Sequence, residues 1–165
     1  MNRPELDQVI KFLEETPEVV RRTADGLGAE ELRRKPSAEE FSFVEHACHL
    51  RDIEGEGYRE RIRKLLCETR PLLADIDGGR LARERRYNEQ DFGEGLSAFT
   101  RARGENASVL RALSAEELQR EGTFEGAGRI TLGELVGMMY EHDRAHRDEI
   151  ASLRETLLSG RAAGA

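Results

Sequence analysis

The sequence predicts an all-α domain built on four principal helices. Apolar residues recur at helical spacing in four long segments, capping patterns mark the helix starts, and no segment shows convincing strand alternation. At 165 residues the chain fits one domain, set at 1–159, with a tail at 160–165 that has nothing to bury and is expected to fray.

The first helix opens at Pro4, which suits a first turn, and carries Leu6, Val9, Ile10, Leu13, Val19 and Val20. Pro17 lacks an N–H and clashes with the preceding turn, so a kinked helix or two helices in line are expected, ending near Gly26-Leu27-Gly28. A short turn over 29–34 follows. Ser42-Phe-Val-Glu45 has the capping-box pattern and starts a second helix that runs to about Cys67. Residues 70–89 hold Pro71, Gly78 and Gly79 and read as a long crossover, a class of loop in which functional segments are over-represented.

Asp91-Phe-Gly-Glu94 starts the third helix, carried by Leu96, Phe99, Val109, Leu110 and Leu113, although three glycines weaken it. Ser114-Ala-Glu-Glu117 opens a short helix, and 122–129 is a Gly-rich connection. Thr131-Leu-Gly-Glu134 then caps the last long helix, expected to end near Leu158.

Composition excludes several classes. A net charge of −7 and a pI near 5.3 argue against sequence-independent nucleic-acid binding. Trp is absent and aromatics make up 5%, so a stacking platform is not expected. No apolar run approaches transmembrane length and the N-terminus lacks signal-peptide features, which predicts a cytoplasmic protein with no membrane role. Cys48 and Cys67 on one helix would stand roughly 28 Å apart, too far for a disulfide and in keeping with a reducing compartment. Cys48 reads as a small buried apolar residue.

The last helix carries the chemistry. Its apolar stripe runs through Leu135, Met139, Ile150, Leu153 and Leu157, with His142 and His146 inside the same arc. Two imidazoles on adjacent turns of a buried face cost desolvation unless all four nitrogens find partners, and a divalent metal would satisfy one on each ring. Paired structural histidines are the plainer alternative. A third ligand would come from His46 or His49, which share one side of the second helix; periodicity does not choose between them. Most apolar residues of that helix lie on its other flank, so a buried ligand is less expected there. Glu56 and Glu60 lie along the His49 side and could orient a ligand.

Ser42-Phe-Val-Glu-His-Ala-Cys-His49-Leu-Arg-Asp52 resembles the second-helix motif of the DinB/YfiT-like family. Met139-Tyr-Glu-His142-Asp-Arg-Ala-His146-Arg-Asp-Glu-Ile150 resembles its last-helix motif, in which two ligand histidines stand four apart. Leu81-Ala-Arg-Glu-Arg-Arg-Tyr87, Leu96, Phe99, Arg103 and Leu110 resemble the family's crossover and third-helix pattern between them. The resemblance implies a DinB/YfiT-like four-helix bundle with a crossover between helices 2 and 3, and His49, His142 and His146 as ligands of one divalent metal. Phe41 departs from the Trp of many relatives, and His46 departs from a usually apolar position, which leaves it as an accessory to the site or a competitor of His49.

Three histidines without a fourth protein ligand leave an open position, the pattern of catalytic zinc sites, and imidazoles suit zinc or nickel. His142-Asp-Arg-Ala-His146 also resembles the HExxH of zinc peptidases, but Asp143 is a methylene short and no third ligand follows downstream. The family resemblance implies a metal-dependent thiol transferase or hydrolase acting on a small molecule, with a low-molecular-weight thiol as a further cofactor and a homodimeric state. The alternative is a non-catalytic, metal-binding or stress-associated protein of the same fold. In the crossover, Arg83 and Arg86, with Arg80 and Arg85, could contact an anionic substrate or thiol; a solvated surface paired with Glu84 and Glu89 is the plainer reading.

Overall fold

A computed structural model describes the backbone of residues 1–163 and the side chains of residues 1–160. Helix α1, Arg3–Thr23, begins with a complete capping box: Asn2 Oδ1 accepts from the Glu5 N–H at 3.0 Å, and Glu5 accepts from the Asn2 N–H at 2.8 Å. It is one helix, not two, although Pro17 lies inside it. Pro17 cannot donate to the Leu13 carbonyl, and Arg103 Nη1 takes that acceptor instead at 2.8 Å. A tertiary hydrogen bond has replaced the missing helical one.

After the short α2, Ala29–Leu32, the second long helix starts at the Ser42–Glu45 box. It reaches Cys67 as expected, but in three parts: α3 (Phe43–Asp52), a π-helical turn (Ile53–Tyr58) and α4 (Arg59–Cys67). The Arg59 N–H reaches back five residues to the Glu54 carbonyl, which also accepts from Asn106 Nδ2 at 3.1 Å. Side-chain insertion of this kind sustains a π-bulge, a feature frequent at functional sites.

The 70–89 crossover is ordered rather than bare loop. It holds strand β1 (Leu72–Leu73), helix α5 (Gly78–Glu84) and a 3-10 turn (Tyr87–Glu89). Helix α6, Phe92–Ala112, follows, and the Ser114 box opens only a 3-10 turn, Glu117–Gln119. The Gly-rich connection is a hairpin of β2 (Glu121–Phe124) and β3 (Gly128–Thr131), turned at Gly126 and Gly128 with φ of +80° and +84°. Strand β1 pairs parallel to β2, giving a three-stranded sheet beside the bundle. A two-residue strand and two four-residue strands are too short to show alternation in sequence. Helix α7, Leu132–Ala163, outruns the expected end at Leu158 and takes in Gly160; of the expected frayed tail, residues 164–165 lie outside the described part. No described helix is long and apolar enough to cross a membrane.

Two large apolar clusters fill the bundle, and a smaller third, of Val44, Cys48, Ala82 and Tyr87, joins the crossover to α3. Of the large two, one gathers Leu6, Ile10 and Leu13 of α1 with Ile62, Leu110 and Met139; the other gathers Val20 with Phe43, Phe99, Ile150 and Leu153. Each buried leucine-sized side chain contributes about 1.5–3 kcal/mol. Between the clusters lies a polar layer. Thr16 of α1, His46 and His49 of α3, Glu54 of the π turn, Arg103 and Asn106 of α6 and Asp143 of α7 are all buried there.

Candidate metal centre

Helices α3 and α7 bring the sequence-nominated histidines together across this layer. His49 Nε2 lies 3.1 Å from His142 Nε2. The His146 ring centre stands 4.7 Å from that of His49 and 4.5 Å from that of His142. One nitrogen from each of the three falls within 4.8 Å of the other two. His46 stands to one side, its Nδ1 3.1 Å from Nδ1 of His146, which also has Glu149 Oε2 at 3.0 Å.

Contrary to the periodicity, the α3 histidines are the more deeply buried pair: side-chain exposure is 3% for His46 but 23% for His142. The crossover and the loop before α3 provide the cover. The Phe41 ring packs 5.5 Å from His46 and 5.3 Å from His49. Gly78 presses its backbone on His49, where an added Cβ would stand 2.4 Å from Cε1. Only glycine allows that approach.

Burial pushes His49 down to about 2 and His46 to about 3, and lowers His142; the neighbouring imidazoles add to the effect. These three rings are therefore neutral at pH 7, with lone pairs free to ligate. Hydrogen bonding within the protein leaves them poorly satisfied. At most one proton can sit between the two Nε2 atoms, while Nδ1 of His49 and of His142 is buried without a hydrogen bond. Asp143 Oδ1 is 3.7 Å from His142 Nδ1. A divalent cation on the Nε2 atoms would use both lone pairs and make each Nδ1 a donor, with Asp143 placed to receive that of His142. The residues fit the metal.

Asp143 is otherwise committed. Arg103 grips it with Nη1 at 2.5 Å and Nη2 at 3.0 Å and reaches Glu54 at 2.8 Å. The guanidinium holds the Asp143 carboxyl well below the usual carboxylate range, so it is an anchored counter-ion and not a peptidase-like base.

The other nominated residues lie away from the histidines. Arg83 and Arg86 are exposed; Arg86 pairs with Glu89 at 2.6 Å, and neither lines the hollows beside the histidines. Arg80 and Glu84 stand 4.0 Å apart. Arg85 clamps the crossover onto the second helix by bonding Asp52 and Glu56, each at 2.6 Å, and Tyr87 donates to the same Asp52. Glu56 is thus spent on Arg85, and Glu60 on Arg63, so neither orients a histidine. Cys48 is buried and contacts Gln90 Oε1 at 3.5 Å, its thiol pushed up to about 11 by burial.

Two hollows flank the cluster, and His146 lines both. The inner one, about 440 Å³, is bounded by His49, His142, Tyr58, Arg61 and Met138. Arg61 is the basic residue the sequence reading missed. It donates Nε and Nη2 to the Ala74 carbonyl at 3.0 and 2.8 Å and lies over the Phe124 ring at 4.7 Å. The outer hollow, about 520 Å³, is bounded by His46, Phe41 and Glu149. Glu149 was legible as a carboxylate three residues after His146, on the same helix side.

Fold and site define a helical bundle with an open, three-imidazole pocket suited to one divalent metal. The chain belongs to the DinB superfamily, whose sequence profile matches residues 13–150. Among solved structures it is similar to one described as "YfiT from Bacillus subtilis is a probable metal-dependent hydrolase with an unusual four-helix bundle topology". That likeness has a TM-score of 0.87 at 20% identity, covering 95% of this chain and 90% of the other. No curated protein matches the sequence.

Proposed function

We propose that this protein is a divalent-metal-dependent enzyme, hydrolytic or thiol-transferring, whose cation is held by His49, His142 and His146. One observation carries the reading: three histidines converge, with ligand atoms within 4.8 Å of one another, on the wall of a hollow large enough for a small substrate. When bound, the cation would lower the pKa of a water or thiol and polarise an acyl oxygen.

The chain's own groups narrow the chemistry. Among the described residues the inner hollow is lined by no Ser, Thr or Cys, and the hydroxyl it does hold, on Tyr58, donates to the Met138 carbonyl at 3.5 Å and is kept protonated by burial, so no side-chain hydroxyl or thiol is placed to attack. The attacking group must enter with the substrate or from solvent, which suits water or an exogenous thiol. Arg61, rather than Arg83 or Arg86, supplies the positive charge at this wall; its Nη2 stands 3.7 Å from the exposed Asp75 carboxylate, which lines the same hollow, and its Nη1 makes no hydrogen bond with a described residue. The free Nη1 suits a substrate whose anionic group displaces Asp75 from Arg61, beside an apolar body lodged against Ile76, Phe124 and Met138. Asp143, anchored by Arg103, stands 3.7 Å from His142 Nδ1, where it would accept that ring's proton once the ring ligated through Nε2. The printed description of the similar structure, a probable metal-dependent hydrolase, makes hydrolysis the first reaction to try.

Zinc- or nickel-loaded, tag-free protein is expected to hydrolyse activated esters or amides bearing a carboxylate, or to join a small thiol to an electrophile. His142→Ala should abolish turnover, and Arg61→Gln should raise KM for anionic substrates more than for neutral ones. Stoichiometric metal without turnover on any of these would favour the non-catalytic metal-binding alternative.

A further inference from the structure

We propose that the protein holds a second divalent cation on His46 Nδ1, His146 Nδ1 and Glu149 Oε2, with the His146 ring shared between it and the first cation. The assignment rests on the proposed first site at His49, His142 and His146. It concerns a different set of atoms and a different hollow.

The three atoms already stand at ligand spacing. His146 Nδ1 is 3.1 Å from His46 Nδ1 and 3.0 Å from Glu149 Oε2, and the remaining edge, His46 Nδ1 to Glu149 Oε2, is 3.9 Å. A tetrahedral ion with bonds of about 2.0–2.2 Å needs edges of roughly 3.3–3.6 Å. A small movement of the exposed Glu149 side chain would bring its two edges into that range, and the two imidazoles, 3.1 Å apart, need part by only a few tenths of an ångström.

Hydrogen bonds do not account for the cluster. His146 Nδ1 can carry one proton. If it gives that proton to Glu149, its lone pair is gone and it cannot accept from His46. His46 Nδ1, on a ring that is 3% exposed, then faces a donor already committed elsewhere. A cation instead accepts all three lone pairs.

The surroundings point the same way. The outer hollow is lined by the carboxylates Glu39, Glu40, Asp148 and Glu149 and, among the described residues, by no lysine or arginine. Such a mouth concentrates cations and can lend a further oxygen ligand. Its lining shares only His146 with that of the hollow bounded by His49 and His142.

With both positions filled, the first cation takes His146 Nε2, which no described hydrogen bond engages, and the second takes Nδ1. The remaining ring proton leaves to solvent and the ring bridges as an imidazolate. No oxidation or reduction is involved.

The test is metal content of tag-free protein, saturated with zinc and freed of loose ions by gel filtration. Wild type should retain about two equivalents, and His46→Leu and Glu149→Gln about one each. His142→Ala, which spares the second set, should also retain about one. Because Glu149 is exposed, Glu149→Gln keeps the test valid if His46→Leu fails to fold. Copper(II) provides an independent readout. Two ions across one imidazolate couple their spins, so wild type should give a weakened EPR signal and Glu149→Gln an isolated one. About one equivalent in wild type, unchanged by His46→Leu and Glu149→Gln, would overturn the second site and leave the first standing; Glu149 would then only orient His146. Two equivalents insensitive to both substitutions would overturn it as well. No metal in any form would remove both sites.

Discussion

Two groups of buried polar side chains share the layer between the apolar clusters, and the fold treats them differently. Around Arg103 the protein supplies nearly every partner. Both oxygens of Asp143 accept from the guanidinium, Glu54 accepts from Arg103 and from Asn106 at 2.8 Å each, and only Arg103 Nε lacks a hydrogen bond. Around the histidines, a few ångströms along α7, it does not. Two Nε2 atoms face each other and two Nδ1 atoms have no hydrogen bond. The first group is a closed network that joins α6, α7 and the π turn. The second is a set of lone pairs waiting for something that is not protein. Buried polar atoms are costly unless satisfied, so the difference marks where structure ends and binding begins.

The comparison breaks hardest at the closed network. Arg103→Leu would leave two buried carboxylates without their counter-ion and free the Leu13 carbonyl opposite Pro17. Urea denaturation should show a loss of about 3–5 kcal/mol. At the histidines the effect is reversed in kind, because the partner is added. Zinc at about a thousand times its Kd should stabilise the protein by about 4 kcal/mol, an increase in Tm that His142→Ala removes.

Acid separates the two groups further. His46 and His49 titrate near 3 and 2 in the folded chain against 6.5 when unfolded. Below pH 6.5 the unfolded chain therefore binds protons that the native rings do not. Their contribution is fully present above pH 6.5 and is lost as pH falls toward 3, at about 1.4 kcal/mol per pH unit for each extra proton the unfolded chain binds. Metal-free protein should lose stability over this range in denaturant titrations, and the His46→Leu variant should show a shallower slope.

Gly78→Ala places a methyl against His49 and should weaken zinc binding about 10- to 100-fold by calorimetry, at a cost of about 1–3 kcal/mol in stability. Arg86→Ala, at an exposed pair with Glu89, should alter stability by no more than about 0.5 kcal/mol and leave metal affinity intact.

The bundle was legible because helix periodicity and capping boxes are local signals; Ser42–Glu45 and Thr131–Glu134 both form as their spacing implies. The His142–His146 pair was legible for the same reason, as one step along one helix. What sequence could not show was cover and partnership across the fold. Nothing near His49 in the chain announces that Gly78 will sit on its ring, so the α3 histidines read as less buried than they are. Arg61 and Arg86 look alike as letters, yet one lines the inner hollow and the other faces solvent. The Leu13 carbonyl that Pro17 leaves open is taken by Arg103, 90 residues further along the chain. The π turn and the small sheet were illegible because each is set by pairing with distant segments.

X-ray absorption at the zinc edge, on tag-free protein loaded with one equivalent, tests the central claim most directly. The account predicts a nitrogen shell at about 2.0–2.1 Å with the outer-shell scattering of several imidazoles, reduced in His49→Ala and in His142→Ala. A shell of oxygens alone, or one that both substitutions leave unchanged, would contradict it.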